Sequence, residues 1–112
     1  MKTLLMTFCL MLTLTGVQAQ IKNKNAQYTI EVNGNCETCK KRIEKAALSV
    51  SGVKSASWDM NTHELTLIIN EEKTTLFAVK KAIAAVGHDS EEVKAEDSVY
   101  ENLHSCCKYE RQ

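Results

Sequence analysis

Cys36 and Cys39 carry the clearest chemistry in this sequence, in the segment Asn33-Gly34-Asn35-Cys36-Glu37-Thr38-Cys39-Lys40-Lys41-Arg42. Three residues of separation span about one helical turn and bring two sulfurs close enough to share an ion. The electropositive start of a helix lowers a thiol's pKa, so a C-x-x-C placed there favours thiolate. Two thiolates make a soft site, suited to Cu(I), and also to Zn(II), Cd(II) or Hg(II), in preference to Mg(II) or Ca(II). The competing reading is a plain disulfide, but a bond enclosing two residues constrains little chain entropy. A second group of soft ligands, His104, Cys106 and Cys107, stands near the C-terminus. Its vicinal cysteines either reach the C-x-x-C or oxidise and cross-link two molecules. His88, in Gly87-His88-Asp89, is a candidate third ligand or a hydrogen-bond donor to a thiolate, set against a plain surface residue in a turn. His63 reads as an exposed turn residue.

These residues need elements to position them, and the hydrophobic pattern supplies a set. Tyr28, Ile30 and Val32 alternate with polar residues as in a strand. After Asn33-Gly34-Asn35 the period becomes helical, with Ile43, Ala46, Ala47 and Val50 on one face, Asn35 as the N-cap and Ser51-Gly52 as the stop. Ala56, Trp58 and Met60, then Leu65, Leu67 and Ile69, read as a hairpin about Asn61-Thr62-His63. Thr74 or Thr75 caps a second helix with Leu76, Val79, Ile83 and Val86 inward and Gly87 at its left-handed end. A short strand over Glu91 to Ala95 completes β-α-β-β-α-β. That order is the α+β, ferredoxin-like sandwich: four antiparallel strands with two helices on one face. Followed along the chain, it puts the loops of Cys36, His63 and His88 at the same end. Beyond it, Val99, Tyr100 and Leu103 have the spacing of a short helix capped by Asp97 or Ser98. The ten residue steps from Glu96 to Cys106 reach up to about 33 Å, enough for the tail to climb back to the C-x-x-C.

The segment Val32 to Ala47, VNGNCETCKKRIEKAA, within that element order resembles the heavy-metal-associated domain family over about Gln27 to Ala95. That family includes copper chaperones, metal-binding domains of copper-transporting ATPases and the periplasmic mercuric-ion binding protein. The resemblance implies that Cys36 and Cys39 are the metal ligands, that the cargo is a soft ion, Cu(I) first, and that the ion passes to a similar domain on a metal-transporting ATPase or efflux system. The family commonly has Gly-Met-x-Cys before the first ligand. Here Gly34-Asn35-Cys36 is one residue shorter and lacks the Met. Some secreted bacterial members end in a Leu-His-x-Cys-Cys pattern similar to that of this tail.

The chain opens with Lys2, runs apolar from Leu4 to about Val17 and reaches Val17-Gln18-Ala19 before polar residues, the layout of a secretory leader cut after Ala19. About 14 apolar residues fall short of the roughly 20 that span a bilayer, so no stable membrane insertion is expected. Cys9 leaves with the leader. Four cysteines remain, in a periplasmic or secreted and therefore oxidising setting. The expected organisation is a signal peptide over 1–19, a polar segment over 20–25, the metal-binding domain over 26–96 and the cysteine-bearing tail over 97–112. With 14 basic and 14 acidic residues the 112-residue chain has no excess charge for nucleic acid. Lys40, Lys41, Arg42 and Lys45 nevertheless make one helix basic, a solvated face or a docking face for an acidic partner. The functional reading is a non-enzymatic metal carrier or sequestering protein, with a metal-bridged dimer as one assembly. The alternative is a thiol-disulfide oxidoreductase, against which stand the absence of any proline to act as a cis-Pro and the order of the elements.

Overall fold

The alternating segments and the two helical ones form as read in a computed structural model that describes residues 22–111. The leader expected over 1–19 lies outside the described residues. Strand β1 (Ala26–Glu31) leads to helix α1 (Glu37–Leu48), then β2 (Val53–Trp58), β3 (Glu64–Ile69) and helix α2 (Leu76–Ala85). The sheet is antiparallel in the order β1-β3-β2, with Ile30 opposite Leu65 and Trp58 opposite the same residue from the other side. Because strand side chains alternate, Leu65, Leu67 and Ile69 all face the helices and are buried. They meet Cys39, Ile43 and Ala47 of α1 and Val79 and Ile83 of α2, spaced three or four apart so that each helix buries one stripe. The Thr75 hydroxyl accepts the Ala78 N–H at 3.2 Å and caps α2.

Two expectations need correction. The first concerns the start of α1: the residue before the helix is Cys36, extended at φ −149°, and Asn35 is not the cap. The Asn35 amide oxygen instead accepts the Cys39 thiol at 3.3 Å. The second concerns the fourth strand over Glu91 to Ala95, which is absent among the described residues. Only Ser90 bridges to Val32, and the chain then turns on itself through a Ser90–Val93 bridge, with Glu92 at φ 69°. The cause is a competition for hydrogen bonds that side chains win. The Glu91 carboxylate, rather than a strand carbonyl, accepts the Glu31 N–H at 3.1 Å, and the Asp89 carboxylate draws Ala95 N–H back to 2.7 Å.

This reversal sets the course of the tail. A fourth strand would have carried the chain to the far end of the sheet; instead Ala95 is beside Asp89, in the loop expected to neighbour Cys36. A short helix α3 (Asp97–Glu101), with Glu96 rather than Asp97 or Ser98 before it, and a 3-10 turn (Ser105–Cys107) follow. Leu103, Cys107 and Tyr109 are buried and join the core. Gly87, at φ 102°, ends α2 in the left-handed region, and a Cβ there would stand 2.9 Å from Leu103 Cδ2, so it also makes room for the tail.

Candidate metal centre

The loop between β1 and α1 is held from below by an indole. Trp58, fully buried, donates its Nε1–H to the Val32 carbonyl at 3.0 Å and lies parallel to the His63 ring. A Cβ on Gly34 would come within 3.0 Å of Trp58 Cη2 and 3.1 Å of Cys39 Cβ. Lack of a side chain at Gly34 therefore lets this short loop lie on the indole and bring Cys36 over the first turn of α1. Lys40 tightens the arrangement: its ammonium reaches the Trp58 carbonyl at 2.8 Å and the Glu44 carboxylate at 3.0 Å, while Glu44 accepts the Trp58 N–H. Of the basic residues on α1, Lys40 thus ties α1 to β2, whereas Lys41 and Lys45 are exposed.

The sulfurs converge above this loop. Cys36 Sγ lies 3.3 Å from Cys39 Sγ and 3.5 Å from Cys107 Sγ. Cys106 Sγ lies 3.9 Å from Cys107 Sγ, and the sulfurs of Cys36, Cys106 and Cys107 are all within 4.8 Å of one another. Trigonal coordination at about 2.3 Å per metal–sulfur bond separates the sulfurs by about 4.0 Å, so small side-chain rotations suffice to close on an ion. Cys39 and Cys107 are fully buried, Cys36 is half-buried and Cys106 is exposed.

The three inner thiols differ in their readiness to ionise. Burial opposes ionisation of Cys36, but the Cys39 backbone N–H and the Cys39, Cys107 and Cys106 thiols favour its thiolate, and the balance lowers its pKa to about 7. Burial pushes the Cys39 thiol up. Burial, reinforced by the neighbouring Cys39 and Cys36 sulfurs, pushes Cys107 up strongly. Without metal, Cys36 is thus the thiol among the three most ready to ionise, hydrogen-bonded by its neighbours, and an ion entering the centre replaces the thiol protons.

The tail is locked in this position by residues that the sequence reading did not single out. Tyr109 accepts the Asp89 N–H and donates to the Gly87 carbonyl, both at 2.8 Å. Arg111 makes a two-pronged pair with the Asp89 carboxylate at 2.9 and 3.0 Å and also reaches Asp97 at 2.8 Å and the Ala95 carbonyl at 2.7 Å. These bonds fasten residues 109–111 to the Gly87–Asp89 loop, two residues beyond Cys107. An Arg paired with an Asp 22 residues away leaves no periodic trace, and an acidic residue after a Gly-His turn was the only available signal.

His88 is fully buried, as a surface turn residue would not be. Its Nδ1 lies 2.8 Å from the Asn33 carbonyl and its ring stacks on Tyr109, while Nε2 is buried without a hydrogen-bond partner among the described residues. It is not one of the three residues whose ligand atoms cluster. Desolvation lowers its pKa, so it is a neutral imidazole supporting the β1–α1 loop. His104 is exposed, and its carbonyl, not its ring, accepts the Cys107 N–H. His63 is half-buried against Trp58 rather than free in solvent. No helix among the described residues is long and apolar enough to cross a membrane.

Known proteins are similar to this chain in sequence and in fold. The copper chaperone CopZ of Staphylococcus epidermidis is 33% identical over 64 residues, covering 56% of this chain and 94% of that protein. Oxidized MerP from Ralstonia metallidurans superposes with a TM-score of 0.51 at 25% identity, over 58% of this chain and 94% of that one. The N-terminal domain of a potential copper-translocating P-type ATPase from Bacillus subtilis shares the fold, with a TM-score of 0.57 at 22% identity over 67% and 95% of the two chains. Residues 29–89 match the model of the heavy-metal-associated domain, and the tail that brings Cys107 lies beyond that match. Since the matched stretch runs from within β1 through the Gly87–Asp89 loop, more than half of the chain, this protein belongs to the heavy-metal-associated domain family.

Proposed function

We propose that this protein is a Cu(I) carrier or sequestering protein that holds its ion between Cys36 and Cys39 and retains it with Cys107 as a third sulfur. The observation that carries this reading is the approach of Cys107 Sγ to 3.5 Å from Cys36 Sγ, beside the 3.3 Å Cys36–Cys39 pair. Soft thiolates favour Cu(I), and a copper chaperone among the relatives supports that choice over Hg(II), Zn(II) or Cd(II). The protein works outside the cytoplasm after loss of its leader, and the third sulfur tilts it from rapid delivery toward retention. Its acceptor is a similar domain of a metal-transporting ATPase, a class represented among proteins of the same fold. Exposed Lys41 and Lys45 give such an acceptor a basic face to meet. Transfer proceeds by replacing one thiolate at a time, so no step needs a catalytic cycle.

The test is a competition titration of anaerobically reduced protein against a chromogenic Cu(I) chelator, run beside an insulin-reduction assay. Cys36→Ser and Cys39→Ser should each weaken Cu(I) binding by orders of magnitude, because serine is a poor soft ligand. Unchanged Cu(I) affinity in either variant, or insulin turnover equal to that of a dedicated oxidoreductase, overturns the proposal.

A further inference from the structure

The four thiols are not one set of equivalent donors around a single point. Cys36 pairs with Cys39 at 3.3 Å, yet the three sulfurs that lie mutually within 4.8 Å are Cys36, Cys106 and Cys107, a group without Cys39. Besides its contact with Cys36, the Cys39 thiol is hydrogen-bonded to the Asn35 amide oxygen on the domain side and to the Cys107 carbonyl. Cys36 is therefore common to two groups, one on the domain side and one on the tail side. Cys106 gives the tail-side group an exposed edge, whereas Cys39 is fully buried.

We infer that the chain holds a second soft-metal subsite, formed by Cys106, Cys107 and Cys36, so that one molecule carries two Cu(I) ions with the Cys36 thiolate bridging them. This rests on the reading of Cys36 and Cys39 as the primary Cu(I) ligands. With one ion bound, Cys107 completes the domain-side centre. A second ion recruits Cys107 and Cys106 on the other side of Cys36. A thiolate has lone pairs enough to bridge two soft ions, and sulfurs spaced 3.5 and 3.9 Å apart, with all three within 4.8 Å, need only small rotations to reach the roughly 4.0 Å that trigonal coordination requires. Each thiol that becomes a ligand loses its proton to solvent as the metal–sulfur bond forms, and no electron is transferred. The second ion lies at the exposed edge beside Cys106 and leaves first.

Native mass spectrometry of the reduced full chain, titrated anaerobically with a Cu(I) salt, reads the stoichiometry and separates monomer from dimer. The expected result is two Cu(I) per monomer in the parent protein, one in Cys106→Ser/Cys107→Ser, one in Cys39→Ser that is held far more weakly than the parent's first ion, and none retained against a chelator in Cys36→Ser. X-ray absorption of the two-ion form should show a short copper–copper vector that the double variant lacks. Saturation at one Cu(I), lost in Cys39→Ser and kept in the double variant, overturns the second subsite and leaves the primary site standing. Two ions found only in a dimer overturn it too, as does a Cys36→Ser protein that still retains one. A parent protein that retains no Cu(I) removes the primary reading itself.

Discussion

Arg111→Gln should release the tail from the metal centre while leaving the sandwich folded. The Asp89 side chain is 4 % exposed and that of Arg111 21 %, and their carboxylate and guanidinium meet through two hydrogen bonds. Removing one member of a fully buried pair costs about 3–5 kcal/mol, chiefly because the other charge is left unpaired. Solvent at the Arg111 end lowers that to about 2–3 kcal/mol, most of it borne by the docked tail, since among the described residues Arg111 meets Asp89, Ala95, Asp97 and the Tyr100 ring. Cys107 is fully buried, so it reacts with an alkylating agent only when the tail opens, and its rate follows the open population. At 1.4 kcal/mol per tenfold, the variant should alkylate Cys107 about 30 to 140 times faster, by mass spectrometry of peptides from metal-free protein. Hydrogen exchange at Ile43 in α1 should be unchanged. A Cys107 rate within threefold of the parent's would refute the latch, and equal acceleration at Ile43 would show that Arg111 stabilises the whole domain instead.

Other consequences follow from the same contacts. Tyr109→Phe leaves the Asp89 N–H and the Gly87 carbonyl without their shared hydroxyl and should cost about 1–3 kcal/mol in denaturant unfolding. Gly34→Ala drives a methyl group against the Trp58 indole, which its bond to Val32 prevents from moving aside, so stability should drop by about 1–3 kcal/mol and Cu(I) affinity should fall with it. His88 has a folded pKa below its ordinary 6.5 because burial disfavours the cation, so its contribution is intact above that value and is lost as pH falls toward its folded pKa. Asp89 has its pKa depressed from 3.8: burial acts upward, but bonds from Arg111 and Ala95 outweigh it, adding a second loss below that value. Guanidinium midpoints followed by Trp58 fluorescence should therefore decline from pH 7 to 5 and again below pH 4. A flat profile over the first interval would contradict the buried neutral imidazole.

The parts of this architecture that repeat along the chain were legible in the sequence. Tyr28, Ile30 and Val32, the hairpin residues from Ala56 to Ile69, and the helical stripes at Ile43 and Val79 all advertise one buried face, and they are buried or partly buried as read except Met60, which is exposed beyond the end of β2. The C-x-x-C at a strand-to-helix junction was equally visible, because its spacing is itself the chemistry. What escaped was set by side chains that meet across the fold. The segment over Glu91 to Ala95 occupies the fourth strand's place in the element order, yet the Glu91 and Asp89 carboxylates take backbone donors that a fourth strand would have used, and the chain turns at Glu92. Burial of His88 and the Arg111–Asp89 latch depend on distant residues and leave no local pattern. The tail's return was readable as reach; the short route it takes was not, because that route exists only once the fourth strand is lost.

In the proposed centre a thiol from the tail completes the site begun by Cys36 and Cys39. X-ray absorption of the protein loaded with less than one equivalent of Cu(I) tests it most directly. Three sulfur neighbours are expected in the parent protein and two in Cys107→Ser; two sulfurs in both, or a nitrogen or oxygen in place of the third, would rule out a tail thiol in the site.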